Sequence, residues 1–181
     1  RYEGRCSPTA LSFSRGPHGK PFLVTCIHET RFNVSHTGDM FVAAIARDVD
    51  VGVDIESRHR PLGNVTALAN RWLHPAEANL VGANPELFLD KWTQKEAVVK
   101  ASGHGVGHGG LRDFRVTAEG LLVVDDEILP PWRLTSFRFT ETGNSSTDEA
   151  SYVGCVAVER TGSEVTDCLS ISCDDLLAPH L

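Results

Sequence analysis

The stretch that decides the fold is Trp92-Thr93-Gln94-Lys95-Glu96-Ala97-Val98-Val99-Lys100. It lies late in a segment that has the start and stop signals of one helix. Asn84 is a good N-cap, Pro85 suits the first helical position, and Gly103 is the residue type at which helices end. These signals predict a helix over residues 85–102. At helical spacing, one stripe contains Phe88, Trp92, Glu96, Val99 and Gly103.

This stripe places two charged groups, the Glu96 carboxylate and the Lys100 ammonium, on or beside the face that should be buried. Buried charges are costly unless they pair with each other or bind a metal or ligand. An internal salt bridge between Glu96 and Lys100 would satisfy both groups without any function. A ligand site is the alternative, and a second acidic element upstream favours it.

That second element is Val51-Gly52-Val53-Asp54-Ile55-Glu56, whose alternation predicts a strand with its larger apolar side chains on one face. Asp54 and Glu56 then lie about 6.5–7 Å apart on the other face, where Gly52 leaves room for a ligand or another backbone. Two such carboxylates repel each other unless they are solvated or a cation lies between them. Together with Glu96 they would form an all-oxygen site suited to Mg²⁺.

The composition narrows the class of protein. The chain has 181 residues, 41% hydrophobic and 23% charged, which is ordinary for a soluble protein of one domain or two small halves. A formal net charge of -7 argues against a general nucleic-acid binder. No apolar run approaches membrane-spanning length, and no secretory signal peptide is expected at Arg1. Five cysteines without a CxxC pair favour reduced thiols in a cytoplasmic protein.

Turn residues and periodicity place the other elements. The first third is predicted to be a small antiparallel meander, with strands at 22–27, 40–46 and 51–56. Two short helices are predicted at 64–72 and Pro75–Val81, and hairpins at 114–117 with 121–124 and at 132–140 with 151–159. Glycines at 103–110 predict a flexible loop. Lys95, next to Glu96, is predicted to point away from the site into solvent, and Trp72, Trp92 and Trp132 to pack in the core.

Four blocks, taken in order, resemble the 4′-phosphopantetheinyl transferases, in particular the surfactin-synthetase-activating class. They are Gly19-Lys20-Pro21, Asn33-Val34-Ser35-His36-Thr37-Gly38, Gly52-Val53-Asp54-Ile55-Glu56, and the helix stretch Trp92 to Lys100. A single block could arise by chance. The combination is specific for this family, because the blocks occur in order and the acidic pair precedes the helix block by about forty residues. The resemblance runs from about residue 13 to residue 160.

The resemblance implies an α+β fold with a two-layer α/β organisation. Two similar halves, related by a pseudo-twofold axis, would pack antiparallel sheets on helices and bind coenzyme A between them. Residues 1–50 are then expected to be a partial N-terminal half, 51–160 the C-terminal half with the metal site and the long helix, and 161–181 a tail. The family normally carries a further stretch before the Gly-Lys-Pro turn, so the first half is expected to be incomplete.

The resemblance also implies a Mg²⁺-dependent enzyme. Its reaction would transfer the 4′-phosphopantetheine arm from coenzyme A to a serine of an acyl or peptidyl carrier protein, releasing 3′,5′-ADP. The implied Mg²⁺ ligands are Asp54, Glu56 and Glu96. Glu96 would also help to deprotonate the serine, and Lys100 would stabilise or protonate the leaving phosphate. The implied coenzyme A contacts are Lys20, Ser35, His36 and Lys100. The expected partners are a carrier protein and coenzyme A, with no nucleic acid and no membrane, and the expected state is a monomer.

Two other functions remain open. An inactive coenzyme A- or carrier-binding fragment would fit the short N-terminal half, and a Mg²⁺ phosphohydrolase would use the same carboxylates without a carrier. A hydrolase triad built on Ser35 and His36 is rejected because no nucleophile-elbow motif surrounds Ser35. A metal site at His104 and His108 is disfavoured because no cysteine or further histidine lies nearby.

Overall fold

The computed structural model describes residues 11–24, 30–103, 110–118, 122–124, 127–129, 132–142 and 149–159. Within these ranges the strands are β1 (Phe13–Arg15), β2 (Pro21–Leu23), β3 (Thr30–Thr37), β4 (Met40–Arg47), β5 (Val51–Ser57), β6 (Arg115–Val116), β7 (Leu122–Val124), β8 (Glu127–Leu129), β9 (Trp132–Thr142) and β10 (Glu149–Glu159). The helices are α1 (Val65–Trp72), α2 (Pro75–Val81) and α3 (Pro85–Ser102). This mixture of antiparallel sheets and helices confirms the predicted α+β class.

Each helix begins directly after a residue whose side chain caps it. The side chains of Asn64, His74 and Asn84 accept hydrogen bonds from the first-turn amides of α1, α2 and α3. These bonds satisfy amide groups that have no partner within the helix. The helix α3 ends at Gly103, whose φ of 69° is in the left-handed region that favours glycine. The predicted bounds of α2 and α3 are confirmed.

The sheet that carries the acidic strand has the order β5-β10-β9 and is antiparallel throughout. Its middle strand, β10, pairs Val158 with Val51 and Cys155 with Asp54. On the other side, β10 forms the predicted hairpin with β9. The helix α3 packs against β5 and β10. The sheet and helix therefore place Asp54 and Glu96 on facing elements.

Gly52 is the point where α3 lies closest to β5. A Cβ atom at this position would lie 2.1 Å from the carbonyl oxygen of Ala97 and 2.4 Å from the amide nitrogen of Ala101. Both atoms belong to the backbone of α3. The space that the sequence reserves at Gly52 is therefore filled by another backbone and not by a ligand.

The predicted meander in the first third is only partly right. The strand β1 pairs with β2 and β3 pairs with β4, all antiparallel, but β5 pairs with β10. The other edge of β5 faces the side chains of β3, so it does not continue the ladder from β4. The short strand β1 was not predicted because three residues carry little periodicity. Residues 25–27 of the strand predicted at 22–27 lie outside the described residues.

The helix α3 is covered on all sides, so the prediction of a single buried stripe is wrong. Its buried residues are Phe88, Leu89, Thr93, Lys95, Ala97, Val98, Val99 and Ala101. At about 100° per residue these positions surround the helix. The sheet covers one side, while Leu111, Phe114 and Val116 pack against another. All three tryptophans pack, partly buried, against the core, as predicted.

Lys95 is fully buried, which corrects the prediction that it is solvated. Its ammonium lies 2.8 Å from Oε2 of Glu77 and donates to the carbonyl oxygens of Leu111, at 2.7 Å, and Phe114. Two carbonyl acceptors and one oppositely charged carboxylate thus surround the ammonium. Burial lowers the pKa of Lys95, and the Glu77 charge opposes that shift. The pair ties α2 and residues 111–116 to α3.

Cys155 should resist alkylation in the folded protein. Burial raises the pKa of its thiol to about 12, and only the thiolate is nucleophilic. We expect iodoacetamide at pH 8 to leave Cys155 unmodified in the native chain and to modify it in urea. Peptide mass spectrometry of both samples measures this difference. Rapid modification of Cys155 in the native chain would show that β10 is not buried.

The strands β6, β7 and β8 lie on the side of α3 that faces away from the β5-β10-β9 sheet. The strands β6 and β7 form the predicted hairpin, to which β8 adds a third antiparallel strand. None of the described helices is long and apolar enough to span a membrane. The loop histidines His104 and His108 and the tail 161–181 lie outside the described residues. The pseudo-twofold relation of two halves stays a prediction.

Candidate functional site

Asp54 is the buried carboxylate at the centre of the candidate site, with 5% of its surface exposed. Its Oδ1 accepts hydrogen bonds from Nζ of Lys100 at 2.7 Å and from Oγ of Ser35 at 2.9 Å. Lys100 Nζ also donates to Ser35 Oγ at 3.0 Å. These bonds close a triangle that joins β5, α3 and β3. The structure thus brings three predicted site residues into contact.

The second oxygen of Asp54, Oδ2, is buried and has no hydrogen-bond partner among the described residues. A buried carboxylate oxygen without a donor is costly, and such atoms call for a specific explanation. A bound cation or ligand donor at Oδ2 would remove that cost. The observation is independent of the sequence pattern that predicted Asp54 as a ligand.

Glu96 lies half-buried on α3 beside the same carboxylate. Its pKa is raised, first by burial and then by the negative charge of Asp54. Lys100 opposes the shift, and the charge of Glu56 adds to it. Glu96 therefore experiences both carboxylates of β5. This is the electrostatic environment expected if the three groups face a common space.

Glu56 is held at the far end of the site by two donors. Its Oε1 accepts a hydrogen bond of 3.1 Å from Nε1 of Trp92 and forms an ion pair with Arg60. Trp92 precedes Glu96 by one turn of α3. The same helix therefore contacts both acidic residues of β5, Asp54 through Lys100 and Glu56 through Trp92.

The predicted magnesium site is not preformed. In the part of the chain that the structure describes, no three His, Cys, Asp or Glu side chains have the arrangement of a metal site. The ammonium of Lys100 pairs with Asp54 and the guanidinium of Arg60 pairs with Glu56. The carboxylate donors and the unpartnered Oδ2 nevertheless fit Mg²⁺ in kind, because it prefers oxygen ligands.

The other two predicted coenzyme A contacts lie outside the triangle. Lys20 Nζ bonds to Oδ1 of Asp50, at 2.9 Å, and to the carbonyl oxygen of Ala101, so it joins the turn before β2 to the last turn of α3. His36 is exposed, and strand alternation places it on the face of β3 opposite Ser35. Only Ser35 of that dipeptide contacts Asp54.

A family model confirms the resemblance that the sequence blocks predict. The model of the 4′-phosphopantetheinyl transferase superfamily matches residues 50–153. The chain belongs to this superfamily. The matched residues include β5 and α3, and with them Asp54, Glu56, Glu96 and Lys100.

Several relatives carry the transferase name. A protein of Synechocystis sp., named provisionally as a 4′-phosphopantetheinyl transferase, is 35% identical over 143 residues, which cover 72% of this chain and 56% of the relative. The 4′-phosphopantetheinyl transferase HetI of Nostoc sp. is 32% identical over 134 residues, covering 70% and 55%. The 4′-phosphopantetheinyl transferase psf-1 of Bacillus pumilus is 34% identical over 104 residues, covering 55% and 42%. The chain spans about half the length of these curated relatives.

Two groups that donate to the Glu56 carboxylate of this site, on Arg60 and Trp92, were not predicted from the sequence. Arg60 follows Glu56 by four residues, but that spacing predicts an ion pair only within a helix, and Glu56 lies in the strand β5. The indole of Trp92 was predicted only as a core group, and nothing local indicated that its Nε1 reaches Glu56. Side-chain hydrogen bonds between distant elements leave no periodic signal in a sequence.

Proposed function

We propose that this chain transfers the 4′-phosphopantetheine arm from coenzyme A to a serine of an acyl or peptidyl carrier protein, releasing 3′,5′-ADP. The single observation that supports the proposal is the Asp54–Ser35–Lys100 triangle, with Glu96 beside it, in a member of this superfamily. The relatives named as transferases agree with it.

The reaction forms a bond between the carrier serine oxygen and phosphorus, and it breaks the bond between that phosphorus and an oxygen of 3′,5′-ADP. A serine hydroxyl is a weak nucleophile and needs a base within hydrogen-bond reach. Glu96 is the proposed base, and burial and the charge of Asp54 raise its pKa in the metal-free chain. Lys100, about 6 Å further along the helix, is the proposed cation at the departing phosphate.

The proposed coenzyme A contacts extend this arrangement. Ser35 and Lys100 lie in the triangle, while Lys20 lies at the last turn of α3 and His36 on the exposed face of β3. Asp54, Glu56 and Glu96 would hold Mg²⁺, which when bound would neutralise charge on the pyrophosphate. Oδ2 of Asp54, which has no hydrogen-bond partner among the described residues, would be the oxygen offered to the metal, while Oδ1 could keep its bond to Lys100.

The proposal also covers the cellular location, the oligomeric state and the boundary between the two halves. We place the reaction in the cytoplasm and assign it to a monomer that acts without nucleic acid or membrane. We also place the boundary between a partial first half and the second half near residue 50. Size-exclusion chromatography with light scattering tests the monomeric state directly.

Incubation of the 181-residue chain with an apo-carrier protein, coenzyme A and Mg²⁺ tests the proposed function. We expect the intact mass of the carrier to increase by one phosphopantetheine. Omission of coenzyme A, chelation of Mg²⁺ and an alanine in place of the carrier serine are the controls. Coenzyme A cleavage without carrier would instead support a phosphohydrolase. Coenzyme A binding without transfer would support an inactive fragment, the alternative that fits a chain of half the relatives' length.

A further inference from the structure

The outer edge of β5 is bonded by side chains where a neighbouring strand would supply backbone groups. The amide of Val53 donates to Oδ1 of Asn33 at 3.0 Å, and the amide of Ser57 donates to Oγ1 of Thr37 at 3.2 Å. Both bonds join residues with the same separation in sequence, so β3 runs beside β5 in the same direction. Two polar side chains therefore replace a parallel backbone ladder.

Ser35 occupies the middle of the same row of side chains. Alternation places Asn33, Ser35 and Thr37 on one face of β3, the first two buried and the third half-buried. The two outer members bond the backbone of β5, while Ser35 bonds the side chain of Asp54. The contact at the candidate site is therefore flanked on both sides by a bond that fixes the relative position of the two strands.

We propose that Asn33 and Thr37 are positioning residues that set the register of β3 on β5, so that Ser35 meets Asp54 and Lys100. The inference rests on the proposed function. A slip of one residue would move every side chain of β3 to the opposite face and remove Ser35 from the site. It would also leave the buried amide of Val53 without an acceptor, which is costly. The two amides of β5 thus select one register.

Thr37 offers a clean substitution because valine has nearly the same shape without the hydroxyl. We expect Thr37→Val to raise the KM for coenzyme A about three- to tenfold while kcat stays within about twofold, since Glu96 and Lys100 remain on α3. Thr37→Ser keeps the hydroxyl and should restore the KM. Thr66→Val makes the same chemical change at a hydroxyl that bonds the Gly82 carbonyl oxygen, and it should leave the KM unchanged.

Amide hydrogen exchange measured by NMR tests the contact without relying on activity. The amide of Ser57 should exchange about tenfold faster in Thr37→Val than in the wild type or in Thr37→Ser. If Thr37→Val fails to fold, Thr37→Ala provides the same test. Equal exchange of Ser57 in the wild type and in the folded variant overturns the side-chain bond.

The outcomes separate the inference from the proposed function. Faster exchange with an unchanged KM overturns the positioning role and leaves a structural bond alone. Where the wild type binds coenzyme A without transfer, the proposed function fails and the coenzyme A Kd replaces the KM as the readout of positioning. A wild type that neither binds nor transfers overturns both the function and the positioning role, while the exchange rates still report on the strand contact.

Discussion

Replacing Glu96 by glutamine is expected to lower the turnover number of carrier modification by about a hundredfold or more. The amide keeps the shape of the side chain but cannot accept the proton of the carrier serine. Turnover is measured by intact-mass kinetics at saturating coenzyme A and carrier. Glu86→Gln makes the same change at an exposed position of the same helix and should leave the rate within about twofold. A near-normal rate for Glu96→Gln would refute its role as the base.

The same substitution should not destabilise the metal-free protein at neutral pH. Burial and the charge of Asp54 raise the pKa of Glu96 above the ordinary 4.5, so the folded state holds this proton more tightly than the unfolded state. Stability therefore falls as pH rises from below 4.5 through the raised pKa, and the ionised group is unfavourable at pH 7. Glutamine removes that cost, and the Tm of the variant should equal or exceed that of the wild type. A lower Tm would mean that Glu96 is a structural group.

The pH dependence of the rate of carrier modification is a third test of the role of Glu96. The wild-type rate should fall as pH decreases through the pKa of this carboxyl, because the protonated acid is no longer a base; burial and Asp54 raise that pKa in the metal-free chain, and a bound Mg²⁺ would lower it again. The charges that set this pKa belong to Asp54, Lys100 and Glu56. The residual rate of Glu96→Gln should not show this decrease at low pH, the acidic limb of the pH profile. An unchanged limb in the variant would assign it to another group.

Gly52→Ala is expected to lower the free energy of unfolding by about 3 kcal/mol or more, at the upper end of overpacking costs. Its Cβ would lie 2.1 Å from the carbonyl oxygen of Ala97 and 2.4 Å from the amide nitrogen of Ala101. Neither atom can rotate away, so α3 must move off the sheet. Urea denaturation measures the change. Gly16→Ala is the matched control, because its Cβ would meet only the carbonyl oxygen of Lys20 at 3.6 Å.

An unchanged urea midpoint for Gly52→Ala would contradict the close packing of α3 on β5. A folded but inactive variant is also informative, because a shifted α3 would carry Glu96 and Lys100 away from Asp54. Comparison of stability and turnover for Gly52→Ala and Gly16→Ala separates these effects.

The features that the sequence predicts well are those that depend on neighbouring residues. The bounds of α3 follow from Asn84, Pro85 and Gly103, each of which acts within one turn. Alternation in β5 correctly places Asp54 and Glu56 on one face, because the period of a strand is a local property. The hairpin of β9 and β10 follows from two apolar runs that are close in the chain.

The features that sequence reasoning missed depend on contacts between distant residues. Lys95 was expected in solvent because it stands next to Glu96, but its partner Glu77 lies on another helix. The strand β5 pairs with β10 and not with β4, and polar side chains of β3 bond its other edge. Propensity and periodicity carry no information on which distant segment supplies the partner.

The central position of β10 has a consequence for how the chain acquires its structure. During synthesis on the ribosome, β5 and α3 emerge long before the strand that joins β5 to β9, since Val51 pairs with Val158. Pairings between such distant residues form slowly, because a long loop must close first. One hydrogen-bonding edge of β5 therefore stays unpaired until β10 has been made, and a chain released before residue 149 would lack the middle of its sheet.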